Sequence, residues 1–336
     1  MLFHSEILRG YYNLSYTEIL AEKVLSGYKI TKEEALKLYS EKLDDLRENA
    51  DKIRKKFCAE KFDICTIINA RSGKCSENCK FCAQSSHYKT GIEEYSLLSV
   101  DEIIEKAKYD YSEGAVHYGI VTSGKTLNNS DVEKICEAVR KIRNETGIKV
   151  CASLGLLNEE QYRKLKEAGL SRVHNNLETS ENYFPQICTT HKFSDKIKAI
   201  KAAQNAGLEV CSGGIIGIGE SVNDRIDMAF SLKELGITSV PVNMLNPIHG
   251  TPLENIQRLN HDDLQRIIAV YRFIMPDAFI RLAGGRKLLN DKGKNCFISG
   301  ANASITGDML TTAGISIRTD IKMIEELGFK IQYDND

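Results

Sequence analysis

From residue 63 to about 318 the chain alternates short apolar runs with amphipathic helical stretches, a pattern that restricts it to βα units feeding a parallel sheet. The runs fall at 64–69, 116–122, 149–154, 172–177, 209–216, 239–245, 278–283 and 296–301. Helical spacing is clearest at 100–112, 131–145, 159–168, 195–206, 222–235 and 261–271. Eight such units predict an α/β fold, a (β/α)8 barrel of the TIM type. The run at 278–283 is followed by only a short helix near 287–290, so a six-stranded partial barrel stays open as an alternative. Residues 1–62 read as an N-terminal helical extension with helices over 16–27 and 31–57, the second opened by a Thr31/Glu34 capping box. Residues 63–318 form the expected barrel and 319–336 a C-terminal helix and tail. In either barrel the loops after the strands converge over one mouth, where functional groups gather.

With 42% hydrophobic and 27% charged residues, a chain of 336 residues can bury a large core, which fits a soluble globular protein. A formal net charge of −1 gives no long-range positive field, so nucleic acid and anionic membrane are not expected partners and a small molecule is. Residues 1–10 lack a basic segment leading into an apolar run, and no stretch reaches eighteen apolar residues, so a cytosolic protein is expected. Its ten cysteines are then ligands and reduced thiols rather than a disulfide framework.

Three of them, Cys75, Cys79 and Cys82, form a CxxxCxxC array just after the first strand. Such an array delivers three thiolates from one loop to a four-iron cluster and leaves the fourth iron open. The alternative is zinc, with His87 or Cys65 as fourth ligand, although zinc sites usually pair their cysteines. The glycine run from Gly213 to Gly219, closed by Glu220, is either a ligand cradle or a plain βα turn. Asn176 and Glu178 stand two apart at the end of the fourth run, so they point the same way and can bracket a diol, unless they only cap the next helix. Cys151, Cys211 and Arg281 lie on the third, fifth and seventh runs, and alternate barrel strands feed one interior layer. Two thiols and a guanidinium can therefore meet on the axis. The bland alternative is two ordinary buried cysteines and an arginine paired at the rim.

The cysteine array, with the aromatic Phe81 before its last member, resembles the radical S-adenosylmethionine (SAM) superfamily. That resemblance implies a 4Fe-4S cluster on Cys75, Cys79 and Cys82 whose open iron holds SAM for reductive cleavage to a 5'-deoxyadenosyl radical. It also implies that the GxIxGxxE element, with Ile218, backs the adenine, that Asn176 and Glu178 hold the ribose, and that Ser123 marks the strand end holding the SAM amino group. Lys196 stands where the family favours an arginine for the SAM carboxylate, keeping the charge but losing the bidentate fork.

Between about residues 65 and 328 the chain further resembles the biotin synthase family. The resemblance rests on the array with the segment 83–91 after it, and on 176–180, 210–215, 242–245, 250–253, 280–282 and 300–302. It implies sulfur insertion into dethiobiotin, SAM as co-substrate, reduced flavodoxin or ferredoxin as electron donor, and a homodimer. An auxiliary iron–sulfur cluster in the barrel would donate the sulfur, and its familiar ligands are three cysteines and an arginine. Cys151, Cys211 and Arg281 match three of the four. On the second strand, where the family carries a cysteine, this chain has Gly119 after Tyr118. Cys188 is the expected substitute, and a ligand from a loop favours a four-iron type such as 4Fe-5S over 2Fe-2S. Cys58, Cys65, Cys136 and Cys296 are expected to be structural, with Cys296 next in line as a ligand. Asn243 would bond the ureido ring of the substrate, with Asn302 and Ser304 as further substrate contacts.

Overall fold

Residues 14–332 are described by the structure, a computed structural model. The expectation on residues 1–10 lies outside them. Three helices come first, α1 (Tyr16–Leu25), α2 (Lys32–Tyr39) and α3 (Leu43–Cys58). The capping box at α2 forms as expected, Thr31 Oγ1 accepting from the Glu34 amide at 3.2 Å and Glu34 from the Thr31 amide at 2.9 Å. The expected stretch 31–57 is two helices, because the backbone turns at residues 40–42 and Arg266 takes up the freed carbonyls of Tyr39 and Glu41.

The strands are β1 (Lys61–Arg71), β2 (His117–Thr122), β3 (Lys149–Ser153), β4 (Arg172–His174), β5 (Glu209–Cys211), β6 (Gly214–Ile216), β7 (Ser239–Met244), β8 (Phe279–Leu282) and β9 (Ala303–Ile305). All their pairings are parallel, and β9 pairs back onto β1, with Asp63 opposite Ala303 and Cys65 opposite Ile305. The sheet is closed, so the eight-stranded barrel stands and the partial barrel does not. β5 and β6 are two halves of one stave, broken at Ser212 and Gly213. A Cβ at Gly213 would lie 1.9 Å from the Pro241 carbonyl oxygen, and one at Gly214 would lie 2.4 Å from that of Glu178. Only glycine lets the stave press so closely on both neighbours.

Between the strands run α4 (Val100–Ser112), α5 (Asn129–Glu145), α6 (Glu159–Ala168), α7 (Phe184–Ile187), α8 (Phe193–Asn205), α9 (Val222–Glu234) and α10 (His261–Ile274), followed by the short α11 (Lys294–Phe297), α12 (Ile317–Glu326) and a strand β10 (Lys330–Ile331) beside the start of β1. Residues 296–301 are therefore not the eighth strand. Cys296 and Phe297 close α11, Gly300 turns the chain with φ 113°, and the strand follows at Ala303. The fully buried Arg272 anchors this turn by donating to the Gly300 carbonyl at 2.9 Å and to Asn302 Oδ1 at 2.8 Å. At the floor of the barrel Phe62 packs edge-on to Phe297 and Phe329, with ring centroids 5.0 and 5.2 Å apart. No helix among the described residues is long and apolar enough to cross a membrane.

Candidate active site

A cavity of about 450 Å³ runs down from the C-terminal mouth of the barrel. Cys75, Cys79, Cys82 and Phe81 line it on the side of the β1 loop, and Cys65, Cys151, Cys211, Arg172 and Arg281 line it within the barrel. Both expected thiol sets therefore open onto one space, with Asn176, Glu178, Lys196, Ser123 and Asn243 around it.

The loop carrying the three cysteines is held by its own backbone and by the segment after α7. Cys75 donates its amide to the Gln84 carbonyl at 3.0 Å and accepts from the Ser86 amide at 2.8 Å. Asn78 exchanges hydrogen bonds with Thr189, at 2.6 Å and 2.9 Å. The Glu77 carboxylate accepts from Thr190 Oγ1 at 2.7 Å and meets His191 Nδ1 at 2.5 Å. His191 in turn lies 3.3 Å from Cys188 Sγ. Cys188 is accordingly a buried neighbour of Cys79, its sulfur grouped with Cys79 and His191, and its thiol is held low by the Cys79 hydrogen bond first and by His191 after burial is offset. This corrects the expected role of Cys188: it backs the outer cysteine loop and stands apart from Cys151, Cys211 and Arg281, because the α7–α8 connection that carries it docks on that loop. His87 bonds the Ser76 carbonyl at 3.0 Å from an exposed position and is not gathered with the three cysteines.

Around the SAM-side rim the side chains are partly engaged with one another. Asn176 accepts from the Gly213 amide at 3.1 Å and donates to Glu178 at 3.3 Å. Glu178 has φ 74°, an unusual conformation for a residue with a Cβ, locked by bonds from its amide to the Gly213 carbonyl and from the Ile215 amide to its carbonyl. Lys196 Nζ is 3.4 Å from Asn175 Oδ1 and 4.0 Å from Glu178. The Ser123 carbonyl already accepts from Arg71 Nε at 3.1 Å. Ile218 is not in the cavity wall; it is buried, with its amide donating to Glu220 at 2.7 Å, while Ile215 lines the cavity. Glu220 in turn pairs with Arg225, so this glycine element is built around its own carboxylate.

Deeper in, Asn243 keeps its amide between the Gly214 carbonyl at 3.0 Å and the Gly284 amide at 2.8 Å, with one donor and one lone pair to spare. Asn302 and Ser304 do not reach the cavity. Asn302 is fully buried, its Oδ1 taken by Arg272 and the Ile280 amide, and Ser304 is fully buried with its carbonyl accepting from Arg281. Beneath the cavity Asp63 meets Arg281 Nη2 at 2.6 Å and Arg172 Nη1 at 3.1 Å, and His117 Nδ1 at 2.8 Å without hydrogen-bond alignment. Burial alone would raise this carboxyl, but Arg281, His117 and Arg172 together hold it well below the usual range. Within the buried inner end the two guanidiniums share this one carboxylate, and Arg172 also reaches the exposed Glu209 at 3.3 Å. Burial likewise opposes the Cys211 thiolate, yet the His174 hydrogen bond and the two arginines outweigh it and bring the thiol down to about 6. Asp63, His117, Arg172 and His174 were missed as site residues, and Cys65 was weighed only as a zinc ligand or a structural thiol. The sequence signal was their even spacing along strands, Asp63 with Cys65 and Arg172 with His174, which puts each pair on one face.

Comparison with known proteins agrees with this geometry. Residues 70–232 match the model of the radical SAM superfamily, and 241–330 that of the biotin and thiamin synthesis associated domain. Fold and site thus define a radical SAM barrel enzyme, a class that works with a 4Fe-4S cluster and SAM. Biotin synthase of Brachyspira hyodysenteriae is 61% identical over 94% of this chain and 95% of its own. Those of Clostridium botulinum strain Hall and Akkermansia muciniphila are 52% and 51% identical, over 92% and 95% of this chain and 98% and 99% of their own. The chain belongs to the biotin synthase family. It is a radical SAM sulfurtransferase. Among solved structures, methylornithine synthase superposes with a TM-score of 0.83 at 21% identity, over 94% of this chain and 98% of that one, and a maturase of the FeFe-hydrogenase with 0.80 at 16%, over 98% and 78%. At such identities the likeness is one of fold.

Proposed function

We propose that this chain converts dethiobiotin to biotin, using SAM at the rim of the cavity and sulfur from an auxiliary iron–sulfur cluster at its inner end. The observation that carries the reading is the single cavity shared by the Cys75, Cys79 and Cys82 loop and by Cys151, Cys211 and Arg281. Both donor sets fit their groups: the outer one is three thiols on one short loop, and the inner one sets thiols beside a buried Arg281 whose Nε has no partner. Bound there, the two clusters supply the electron that cleaves SAM to generate a hydrogen-abstracting radical and the sulfur that replaces the abstracted hydrogens.

The chain's own contribution is placement and exclusion. Asn176 and Glu178 offer an amide and a carboxylate for the ribose hydroxyls, with the Glu178 backbone already fixed. Lys196 offers its charge to a carboxylate. Asn243 offers its spare donor and lone pair to a ureido ring. The buried guanidiniums of Arg172 and Arg281 beside the thiols favour an anionic, thiolate-ligated cluster, while the expectation of a four-iron type rested on a ligand from a loop and does not carry over to ligands on strands. The closed barrel walls shield the reaction from water.

Anaerobic protein given SAM, dethiobiotin and dithionite or reduced flavodoxin should form biotin, 5'-deoxyadenosine and methionine. SAM cleavage that ignores dethiobiotin, with no biotin formed, contradicts the proposal. Reduced flavodoxin or ferredoxin is the donor and a homodimer the assembly that accompany this reading, the latter checked by sedimentation.

A further inference from the structure

The barrel rule that alternate strands fill one interior layer with four side chains leaves a place that Cys151, Cys211 and Arg281 do not occupy. Those three come from the third, fifth and seventh staves, and the missing contribution belongs to the first. On β1 that residue is Cys65. It lines the same cavity, with the Cys151 thiol and the Arg281 guanidinium among its neighbours. The second stave offers nothing in its place: Gly119 faces the cavity between Ile67 and Cys151, and a Cβ there would come within 3.1 Å of Ile67 Cγ2 and 3.3 Å of the Thr66 carbonyl oxygen. Ile67 would have to give way to a side chain at 119. Beside the three thiols, Arg281 is 1% exposed and presents an Nε with no partner, the mark of a buried site built for a group that accepts a hydrogen bond or a ligand.

We infer that Cys65, not Cys188, is the third thiolate of the auxiliary cluster, so that the ligand missing from the second strand has moved to the first. The assignment rests on the proposed function, since it presupposes that a cluster is held at the inner end of the cavity. Four ligands then descend from four alternate staves, all on strands and none on a loop. Asp63, two residues before Cys65 on the same face, orients Arg281 and is a positioning residue for the set.

The test is anaerobic reconstitution with iron and sulfide of wild type, Cys65→Ala, Cys65→Ser and Cys188→Ala, with iron and sulfide counted and Mössbauer spectra recorded. In Cys65→Ala the auxiliary signal should disappear, while the outer cluster and calorimetric SAM binding persist and show that the barrel is folded. Cys65→Ser, nearly isosteric, should either lose that signal or shift it through an oxygen-ligated iron, and Cys188→Ala should keep it. An unchanged auxiliary signal in both Cys65 variants, or its loss in Cys188→Ala alone, overturns the assignment and leaves the proposed function standing. Wild-type protein that takes up only the outer cluster overturns both.

Discussion

Asp63 is a buried carboxylate on which two guanidiniums, Arg281 and Arg172, converge. Replacing it with asparagine leaves the buried Arg281 without its counter-charge and leaves Arg172 only the exposed Glu209 carboxylate at 3.3 Å, and a broken buried pair costs about 3–5 kcal/mol. Asp63→Asn should therefore lower the midpoint of urea unfolding markedly, measured on metal-free protein so that cluster loss does not contribute. Asn302 makes a sharper contrast between structure and substrate. Its Oδ1 holds Arg272 and the Ile280 amide, so Asn302→Ala should destabilise the fold by about 1–3 kcal/mol, the cost of leaving such donors unsatisfied. The KM for dethiobiotin should not move, and a raised KM at unchanged stability would return Asn302 to the cavity. At this scale the sequence showed residue types well and depth poorly. Asn302 and Ser304 follow a run taken for a strand, 296–301, where the strand itself is Ala303–Ile305, whereas Asn243 sat on a strand placed correctly.

Elements were legible where period and caps agreed. The helix over 100–112 begins after Ser99, whose hydroxyl and Glu102 form a reciprocal cap, and it was bounded correctly from sequence. The last third was harder, because its connections are short and its anchors are distant in sequence. Arg286, in the loop after β8, forms a two-pronged ion pair with Asp320 on α12, both nearly fully buried. No local pattern announces such a partner. Asp320→Ala should strand Arg286, cost about 3–5 kcal/mol and loosen α12, and limited proteolysis should then cleave within 308–316 faster than in wild type. The same blindness explains Cys188. From the sequence a thiol between the fourth strand and its helix was free to reach inward, and only the docking of Thr189, Thr190 and His191 on Asn78 and Glu77 shows that it turns the other way.

For the molecule as a whole the barrel followed from periodicity, and the shared cavity followed from the barrel, but the choice between first and second strand for a ligand depended on shear, which no single strand encodes. The buried apolar residues form one continuous cluster around the barrel. Stripping iron with a chelator should therefore leave the far-UV circular dichroism unchanged while abolishing calorimetric SAM binding; loss of helix signal would mean that the metal supports the fold. One feature of the ends reaches beyond stability. On its side away from β2 the first strand pairs with β9 and β10, more than 230 residues later, and Phe62 is sealed beneath by Phe297 and Phe329. During synthesis the interior thus stays an open trough until β9 and β10 have left the ribosome, so inorganic cargo delivered before then would meet unshielded thiols, and its secure enclosure must wait for those strands.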